Sequence, residues 1–559
     1  MESIPVLIVG AGPAGLAMAL ALAQNGVRPR IIDKASVYHT GSRGFGLQPR
    51  TFEIFEMLGI LSDVSDLAVD IPTMRAYKLP EGIEPTKTWN LYEDMPDFPD
   101  RPYGNGKCLS QSTLEDIMRA HLSRYDCKVE LGKELVAIDQ DGSAVNATLL
   151  IHHIGGPSSQ EIVHAEFVIG ADGARGVSRK LLGLTFQGET RDADGMVWAD
   201  VEIDGLSSDY WHIWGHPGHF TIQARPWNST TKMFNIGITG QNFDPSELSE
   251  PDKVRQLFRE KTGRTDLVLG EFHWLSYFRP NMRIGNKFGE GRVFLVGDAA
   301  HVHSPTGGQG LNCSIQDSIN LAWKMALVHK GLSSMSLLSS YNEERLPVIT
   351  QMLHATTALY THAVAKKSTA DEAAEDDKKS GWFRWRNNAL LLYGVNYRWS
   401  SIVLDERDTS SPNEEDMKAR GYEGYASSLR AGDRAPEAPG LVSETGKEIS
   451  LFNLFKPNVH TVLVFVPHSK GASTDRPEIN AIIEATKAHD FQTVLLSQDR
   501  NPRSAAGIRV VYDRDGYAFK HYFIGDEFMC VVVRQDWMVG AFVRDASGLE
   551  RYLAKVFRN

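Results

Sequence analysis

The first residues whose types and spacing can do chemistry are three glycines near the amino terminus. Gly10, Gly12 and Gly15 fit the pattern Gly-x-Gly-x-x-Gly, and Asp33 follows 18 residues after the last of them. In this spacing the first glycine allows a tight turn, the second lets the backbone approach a pyrophosphate, and the third permits helix–strand contact. A helix that begins here directs N–H groups at phosphates, while Asp33 can bind a ribose. The motif predicts a dinucleotide site; a glycine-rich turn without a ligand is the alternative.

A second group of residues with binding chemistry lies about 285 residues further along the chain. Asp298 follows a strand-like run, and Pro305, Gly308 and Gly310 precede a long helical stretch. An aspartate at a strand end can bind a polyol chain. Free N–H groups and the positive end of a helix dipole suit a ring that becomes an anion, as reduced flavin does. The two motifs together favour FAD over NAD. The alternative interpretation of the second motif is a capping aspartate beside a flexible loop.

Strand-like and helical runs alternate around the first motif. Residues 4–9 are apolar and β-branched, residues 14–23 are rich in Ala and Leu, and residues 29–33 form a second strand-like run. This βαβ order predicts a parallel sheet covered by helices. Short strand-like runs rich in aromatic residues at 185–285 predict an inserted, mostly antiparallel sheet, and a smaller α/β unit begins near residue 436.

Composition excludes several functional classes. The chain has 559 residues, of which 42% are hydrophobic, and a net charge of −11, so non-specific nucleic-acid binding is not expected. Its four cysteines form no Cys-x-x-Cys pair, which argues against a disulfide framework or a metal site. We find no apolar run of about 18 residues that would span a membrane, and no basic leader segment. The sequence therefore predicts a cytoplasmic protein without a metal.

Three further stretches of the sequence accompany the two motifs. They are Arg43-Gly-Phe45-Gly-Leu-Gln48, Ser110-Gln111-Ser-Thr-Leu-Glu115 and Gly170-Ala-Asp172-Gly173. With the two motifs, they resemble the group A flavoprotein aromatic hydroxylases, the phenol hydroxylase and p-hydroxybenzoate hydroxylase family, over about residues 1–350. The resemblance implies that NADPH or NADH reduces FAD, which reacts with O2 to give a C4a-hydroperoxide. It further implies hydroxylation of a phenolic, electron-rich aromatic substrate.

The resemblance also implies which residues contact FAD. One position departs from the family pattern, because Gly176 stands where the family has a serine. The implied contacts are Gly10, Gly12, Ala14, Gly15, Asp33, Lys34, Arg43, Gln111, Asp172, Asp298, Pro305, Gly308, Gly310, Leu311 and Asn312.

The carboxyl-terminal part resembles the thioredoxin-like domain of the phenol hydroxylase branch, at residues 431–436 and 532–540. Because it lacks Cys-x-x-Cys, we expect packing or a homodimer contact rather than thiol chemistry. The predicted fold is α/β, with a Rossmann-like FAD-binding domain, an inserted antiparallel substrate sheet, a helical segment and a thioredoxin-like domain. The expected boundaries are 1–184 with 286–365 for FAD, 185–285 for the sheet, 366–430 for the helical or linker segment, and 431–559 for the last domain.

The substrate pocket is expected to be built from the inserted sheet. Alternation places Tyr210, His212 and Trp214 on one strand face, where His212 is a candidate base for a phenol. On a second strand, Gln223 and Arg225 share a face, and Arg225 can hold a substrate carboxylate. A surface arginine and structural histidines are the competing interpretations.

Two positions depart from phenol hydroxylases. Phe45 stands where the resemblance places their active-site aspartate, and Phe278 stands near their tyrosine, with Tyr277 adjacent as a candidate catalytic residue. With Pro305, we expect Phe45 and Phe278 to contact the substrate. The loss of polar groups favours a bulky, secondary-metabolite phenol.

Other reactions remain open at the level of sequence. Epoxidation and decarboxylative hydroxylation use the same motifs. A flavin-bound scaffold without turnover and a plain NAD dehydrogenase are further alternatives, and the second would purify without colour.

Overall fold

The computed structural model places the strand Ile4–Val9 in the middle of an amino-terminal sheet. It describes residues 3–42, 44–91, 97–190, 194–216, 220–241, 244–304, 307–364, 388–407, 413–424, 428–468, 477–487, 489, 491–500 and 508–558. Ile4–Val9 pairs in parallel with Pro29–Asp33 on one side and with Ser159–Gly170 on the other. Its residues from 6 to 9 are buried, as expected for a parallel strand covered on both faces.

Parallel pairs and antiparallel extensions make up the rest of the amino-terminal sheet. Val129–Leu131 pairs with the second strand, and Val293–Leu295 pairs with Ser159–Gly170. The antiparallel extensions are Lys133–Gln140, Val145–Ile151 and Gly289–Glu290. The helices around this sheet are Pro13–Gln24, Pro49–Met57, Leu61–Leu67, Gln111–Ser123, Ser178–Leu181, Gly310–His329 and Ser339–Val364.

Two helices that begin at the two sequence motifs pack side by side. These are Pro13–Gln24 and Gly310–His329, and the Ser318 hydroxyl donates a hydrogen bond of 2.8 Å to the carbonyl oxygen of Ala14. Small residues in the first helix permit this approach; among them, Ala17 and Ala21 are buried. The packing brings both helix amino termini to one side of the sheet, although the motifs lie far apart in sequence.

A seven-stranded middle sheet stands beside the amino-terminal sheet. Its order in space is Val268–Phe278, Asp194–Asp204, Met233–Gln241, Phe220–Pro226, Tyr210–His216, Thr73–Tyr77 and Pro85–Trp89. All neighbouring strands are antiparallel except Tyr210–His216 and Thr73–Tyr77. The helix Pro251–Thr262 packs on one face.

The middle sheet does not coincide with the expected boundary of 185–285. Thr73–Tyr77 and Pro85–Trp89, which were expected in the FAD domain, extend the sheet at the edge formed by Tyr210–His216. An edge strand presents unpaired backbone groups, and Thr73–Tyr77 pairs with those of Tyr210–His216. Short strands elsewhere form two smaller sheets: Gly46–Leu47 with Val69–Asp70 and Lys107–Cys108, and Phe186–Thr190 with Asn281–Gly285 and His301–Val302.

A carboxyl-terminal sheet forms the last α/β unit. Its order is Leu404–Asp405, Val539–Val543, Met529–Val533, Thr461–Val466, Gln492–Ser497, Arg509–Asp513, Leu441–Ser443 and Glu448–Ile449. Its helices include Pro477–Lys487, Tyr517–His521 and Ala546–Val556, and Glu414–Ala419 precedes it. Because Leu404–Asp405 pairs in parallel with Val539–Val543, the unit takes a strand from the segment expected to be linker.

The predicted mixed α/β class is confirmed, whereas the thioredoxin-like character of the last unit stays a prediction. Much of the segment expected at 366–430 lies outside the described residues, from 365 to 387. Among the helices that the structure describes, none combines the length and the apolar run that crossing a bilayer requires.

Buried ion pairs join the carboxyl-terminal unit to the helices of the amino-terminal part. The Glu344 carboxylate accepts hydrogen bonds from Lys324 Nζ at 2.7 Å and from both terminal nitrogens of Arg534 at 2.7 and 3.0 Å. All three side chains are fully buried. A second buried carboxylate, Glu53, lies between Arg50 and Arg434. These pairs make the contact between the units specific.

We predict that Glu344→Gln lowers the free energy of unfolding by about 3 kcal/mol, because the buried Lys324 loses its carboxylate partner and Arg534 keeps only Asp536. Chemical denaturation followed by fluorescence measures this change. The control is Glu448→Gln, which removes an exposed partner of Arg514 and is expected to leave the transition where it is. Equal effects of the two substitutions would contradict the prediction.

Candidate active site

A large cavity lies where the amino-terminal sheet, the middle sheet and the start of the helix Gly310–His329 meet. Its volume is about 910 Å³. One part, here called the motif-lined half, is bounded by Gly10, Gly12, Ala14, Asp33, Lys34, Gln111, Asp172, Asp298, Gly308, Gly310 and Leu311. The other part, here called the sheet-lined half, is bounded by Phe45, Met196, Trp198, Trp211, Ile213, Gln223, Arg225 and Phe278.

The three glycines of the first motif are required for different structural reasons. A Cβ atom on Gly10 would lie 2.3 Å from the carbonyl oxygen of Ala171, and one on Gly15 would lie 2.0 Å from that of Gly10. Both positions therefore require glycine for packing. By contrast, a Cβ atom on Gly12 would meet no atom within 4 Å. The space at Gly12 opens into the cavity, where a pyrophosphate fits.

Asp33 stands at the end of its strand and holds the turn of the motif. One carboxylate oxygen accepts the Ala11 N–H at 2.8 Å, and the other accepts the Ala35 N–H at 2.8 Å. Gln111 begins the helix Gln111–Ser123, and its side chain accepts the Gly44 N–H and donates to Glu115. Burial raises the pKa of Glu115, which lines the cavity, to about 7.

The second motif supplies the other end of the motif-lined half. Asp298 is exposed in the turn Gly297–Ala299, directly after the strand Val293–Leu295. The buried Asp317 carboxylate fixes this turn by accepting the Gly297 N–H at 3.0 Å. The amino terminus of the helix Gly310–His329 lines the cavity beside it.

Asn312 does not line the cavity, although the resemblance implies a contact with FAD. Its side chain accepts the Gln48 N–H at 2.9 Å and donates to the carbonyl oxygens of Gly46 and Gly308 at 2.9 and 2.7 Å. The fully buried amide thus joins two loops that bound the cavity. Gly15 likewise acts through packing. Neither residue lines the cavity, because Gly15 packs on the backbone of Gly10 and the Asn312 amide is bound to Gln48, Gly46 and Gly308.

Several buried polar atoms around the cavity have no hydrogen-bond partner among the described residues. They are Gln48 Oε1, Asp172 Oδ1, His303 Nε2 and Ser304 Oγ. His303 donates from Nδ1 to the Ser304 carbonyl oxygen, so Nε2 is an acceptor, and burial lowers the pKa of this histidine to about 4. Buried polar groups without partners are costly, and a polar cofactor such as FAD can satisfy them.

The position of the Asp172 side chain explains why residue 176 is a glycine where the family has a serine. A Cβ atom at position 176 would lie 2.1 Å from the carboxyl carbon of Asp172. The same carboxylate accepts hydrogen bonds from the Ser178 N–H at 2.9 Å and the Ser178 hydroxyl at 3.0 Å. A serine two positions later thus contacts the aspartate. Two other expected contacts, Arg43 and Pro305, lie outside the described residues.

The sheet-lined half contains a buried arginine among aromatic rings. The Arg225 guanidinium carbon lies 4.0 Å from the ring centre of Phe45 and 4.8 Å from that of Trp211, and its side chain donates to Asn235 Oδ1 at 3.1 Å. The Trp211 indole N–H donates to Gln223 Oε1 at 3.1 Å. A cation within apolar walls attracts an anionic or acidic oxygen on a flat ring.

The structure contradicts the expected face of the strand Tyr210–His216. His212, Tyr210 and Trp214 do share a face, but it packs away from the cavity, against Tyr77 and the helix Pro251–Thr262. Both ring nitrogens of His212 are hydrogen-bonded, to the Tyr77 hydroxyl at 2.6 Å and the Ser207 carbonyl at 2.7 Å. Burial also lowers the pKa of His212 to about 4. The expectation of a base at His212 and substrate contacts at Tyr210 and Trp214 is therefore wrong.

The opposite face of that strand supplies cavity residues that sequence reasoning missed. Trp211 and Ile213 line the cavity, as do Met196 and Trp198 from the neighbouring part of the sheet. Alternation along the strand assigns the side chains to two faces, but it does not show which of the two lines the cavity. Of the remaining candidates, Tyr277 lies at the cavity with nearly half of its surface exposed, in the position of a mouth residue.

Comparison with known proteins fits this geometry. Residues 3–356 match a family model described as an FAD binding domain. A flavin-dependent monooxygenase of Mycobacteroides abscessus is 33% identical over 82% of this chain and 88% of the relative. Pentachlorophenol 4-monooxygenase of Sphingobium chlorophenolicum is 28% identical over 86% of this chain and 82% of the relative.

A solved structure extends the similarity to the whole chain. The ternary complex of aklavinone-11 hydroxylase with FAD and aklavinone superimposes with a TM-score of 0.77 at 25% identity, covering 100% of this chain and 99% of that one. The predicted FAD cofactor and the predicted resemblance are thereby confirmed. The chain belongs to the family of flavin-dependent monooxygenases that share this FAD binding domain.

Proposed function

We propose that the protein uses NADPH or NADH and O2 to hydroxylate a phenolic ring on a flat, bulky aromatic molecule. The observation that carries this proposal is the continuity of the cavity. One space joins the glycine motif and Asp298 to an aromatic chamber with a buried arginine. The reaction consumes the nicotinamide, a proton and O2, and it returns oxidised nicotinamide, water and the hydroxylated ring.

In this proposal, the motif-lined half holds FAD. Gly12 admits the pyrophosphate, Asp33 and Lys34 lie at the adenosine end, and Asp298 lies at the ribitol. The amino terminus of Gly310–His329 faces the flavin ring, where its dipole favours negative charge. When bound, FAD would supply the electrons that activate O2, and the transferred oxygen atom comes from that O2.

The sheet-lined half would bind the substrate ring. Phe45, Trp198 and Trp211 offer aromatic surfaces, while Arg225 faces the same space. A guanidinium within apolar walls lowers the pKa of a phenol placed against it, because it stabilises the phenolate. An ionised phenol is richer in electrons and accepts an electrophilic oxygen more readily. We therefore assign ring activation to Arg225 rather than to a histidine.

The names of relatives support an aromatic substrate. One relative is named for 4-monooxygenation of pentachlorophenol, and one solved structure is a complex of a hydroxylase with FAD and aklavinone. The several aromatic surfaces of the sheet-lined half suit a large ring system rather than plain phenol. Tyr277, at the mouth, would contact the outer part of such a substrate.

Five parts of the sequence-based interpretation remain proposals. They are the use of NADPH or NADH, the homodimer, the cytoplasmic location, the thioredoxin-like character of the last unit, and the domain boundaries other than that of the middle sheet, which Thr73–Tyr77 and Pro85–Trp89 extend. Epoxidation or decarboxylative hydroxylation would use the same cavity, and mass analysis of the product distinguishes them. A gain of one oxygen with aromaticity retained supports hydroxylation.

We predict that Gly12→Val prevents FAD binding without unfolding the chain, because the added carbons enter open space that the pyrophosphate needs. Loss of the phosphate hydrogen bonds is expected to weaken FAD binding roughly a hundredfold. The ratio of flavin absorbance to protein after dialysis against FAD measures this. The control is Gly142→Val, also in open space but away from the cavity, which should bind FAD normally. Full flavin content in Gly12→Val would contradict the assignment.

We predict that Arg225→Gln weakens binding of an acidic phenol by about tenfold or more and moves the pH optimum of its hydroxylation upward. The reason is that a neutral amide no longer favours the phenolate, while FAD content stays the same. Titration of the flavin spectrum with ligand and pH–rate profiles measure both effects.

The matched control is Arg75→Gln. Arg75 also lies over an aromatic ring of the middle sheet, 3.4 Å from the centre of Tyr210, but on the face opposite the cavity. If the two variants shift the pH profile equally, Arg225 does not activate the substrate.

A further inference from the structure

A buried carboxylate lies beneath the sheet-lined half of the cavity. Asp200, in the strand Asp194–Asp204, is fully buried, and burial raises the pKa of its carboxyl. It accepts hydrogen bonds from the Ser42 N–H at 2.9 Å, Asn235 Nδ2 at 2.8 Å and the Trp227 indole N–H at 3.4 Å. All three partners are donors, so the ionised carboxylate is the form that satisfies them.

Asn235 joins this carboxylate to the arginine of the cavity. Its Oδ1 accepts a hydrogen bond from Arg225, while its Nδ2 donates to Asp200 and, at 3.5 Å, to the carbonyl oxygen of Ser42. The amide orientation is therefore fixed from both sides, since a flip would place a donor against Arg225 and an acceptor against Asp200. A continuous hydrogen-bonded chain runs from the guanidinium of Arg225 to the backbone of Ser42.

The backbone at the far end of this chain belongs to the residues around Ser42, of which the structure describes Gly41, Ser42, Gly44 and Phe45. A Cβ atom on Gly41 would lie 2.2 Å from the Trp274 ring, so Gly41 packs directly on the middle sheet. The Gly44 N–H donates to Gln111 Oε1 at 3.2 Å in the motif-lined half. Phe45 places its ring against Arg225. Gly44 and Phe45 thus contact groups on which the proposed reaction depends.

We propose that Asp200 and Asn235 are positioning residues that couple the binding of an acidic substrate oxygen at Arg225 to the placement of Ser42 and of the cavity residues Gly44 and Phe45. The inference rests on the proposed function for the identity of the ligand. A substrate anion that draws the guanidinium toward itself changes its hydrogen bond to Asn235, and the rigid amide passes that change to Asp200 and Ser42. Coupling of this kind requires a contiguous set of contacts whose arrangement both sites bias.

The test measures backbone hydrogen exchange in the FAD-loaded protein, with and without pentachlorophenol as the acidic probe. In the wild-type chain we expect the probe to change exchange in peptides covering residues 39–47 by about fivefold or more. Asp200→Asn replaces one acceptor oxygen by an amide NH2 group, so either the Ser42 N–H or the pair of Asn235 and Trp227 donors loses its acceptor, and the substitution should abolish this change. Asn235→Ala, which interrupts the chain at its middle, should do the same and serves if the first variant does not fold.

The matched control is Asp194→Asn. Asp194 is a buried carboxylate of the same strand, but it accepts the Tyr360 hydroxyl at 2.6 Å and lies outside the chain of contacts. It should keep the probe-dependent change in exchange. A second readout is the ratio of nicotinamide consumed to product formed, which we expect to rise about tenfold in Asp200→Asn and not in Asp194→Asn.

The outcomes separate this inference from the proposed function. An unchanged exchange pattern in the wild-type chain, or equal responses in wild type and Asp200→Asn, overturns the coupling even if phenols are hydroxylated. A chain that shows the coupling but never adds oxygen to any phenol contradicts the proposed function and leaves the link between the sites standing.

Discussion

The close packing of the helices Pro13–Gln24 and Gly310–His329 is the constraint on which the rest of the structure depends. Gly15 permits contact with the turn at Gly10, and Ser318 bonds to the backbone at Ala14. This packing brings two positive helix ends to one cavity, an arrangement that suits the phosphates and the ring of a single extended cofactor. Without it, the two motifs would be separate binding turns with no shared ligand.

Sequence patterns predicted the parts of the site that are governed by local geometry. The spacing of Gly10, Gly12 and Gly15 and the strand-end position of Asp298 follow from the demands of a turn and a helix start. The cavity face of Tyr210–His216 could not be read in the same way, because alternation defines two faces and neither is marked. The pairing with Thr73–Tyr77 determines which face lines the cavity, because Tyr77 stacks on His212 and buries that face of the strand.

The remaining differences between the sequence-based expectations and the structure come from hydrogen bonds between residues that are far apart in sequence. Asp200 and Asn235 gave no sequence signal, since their roles depend on a segment more than 150 residues away that packs against the sheet. The contacts of Glu344 with Arg534 likewise cross from one unit to another. Buried polar groups of this kind need partners from several elements, and a local pattern cannot supply them. Tertiary contacts thus determine the sheet-lined half of the cavity, while local sequence motifs determine the motif-lined half.

The most direct test of the central claim follows the fate of oxygen. The purified protein would be supplied with FAD, NADPH or NADH, a polycyclic phenol and isotopically labelled dioxygen, and the product would be examined by mass spectrometry. A single cavity that serves flavin and phenol together predicts one labelled oxygen atom on the ring for each nicotinamide oxidised in the productive reaction. Oxidation of the nicotinamide without any label in an organic product, across a panel of such phenols, would contradict the claim.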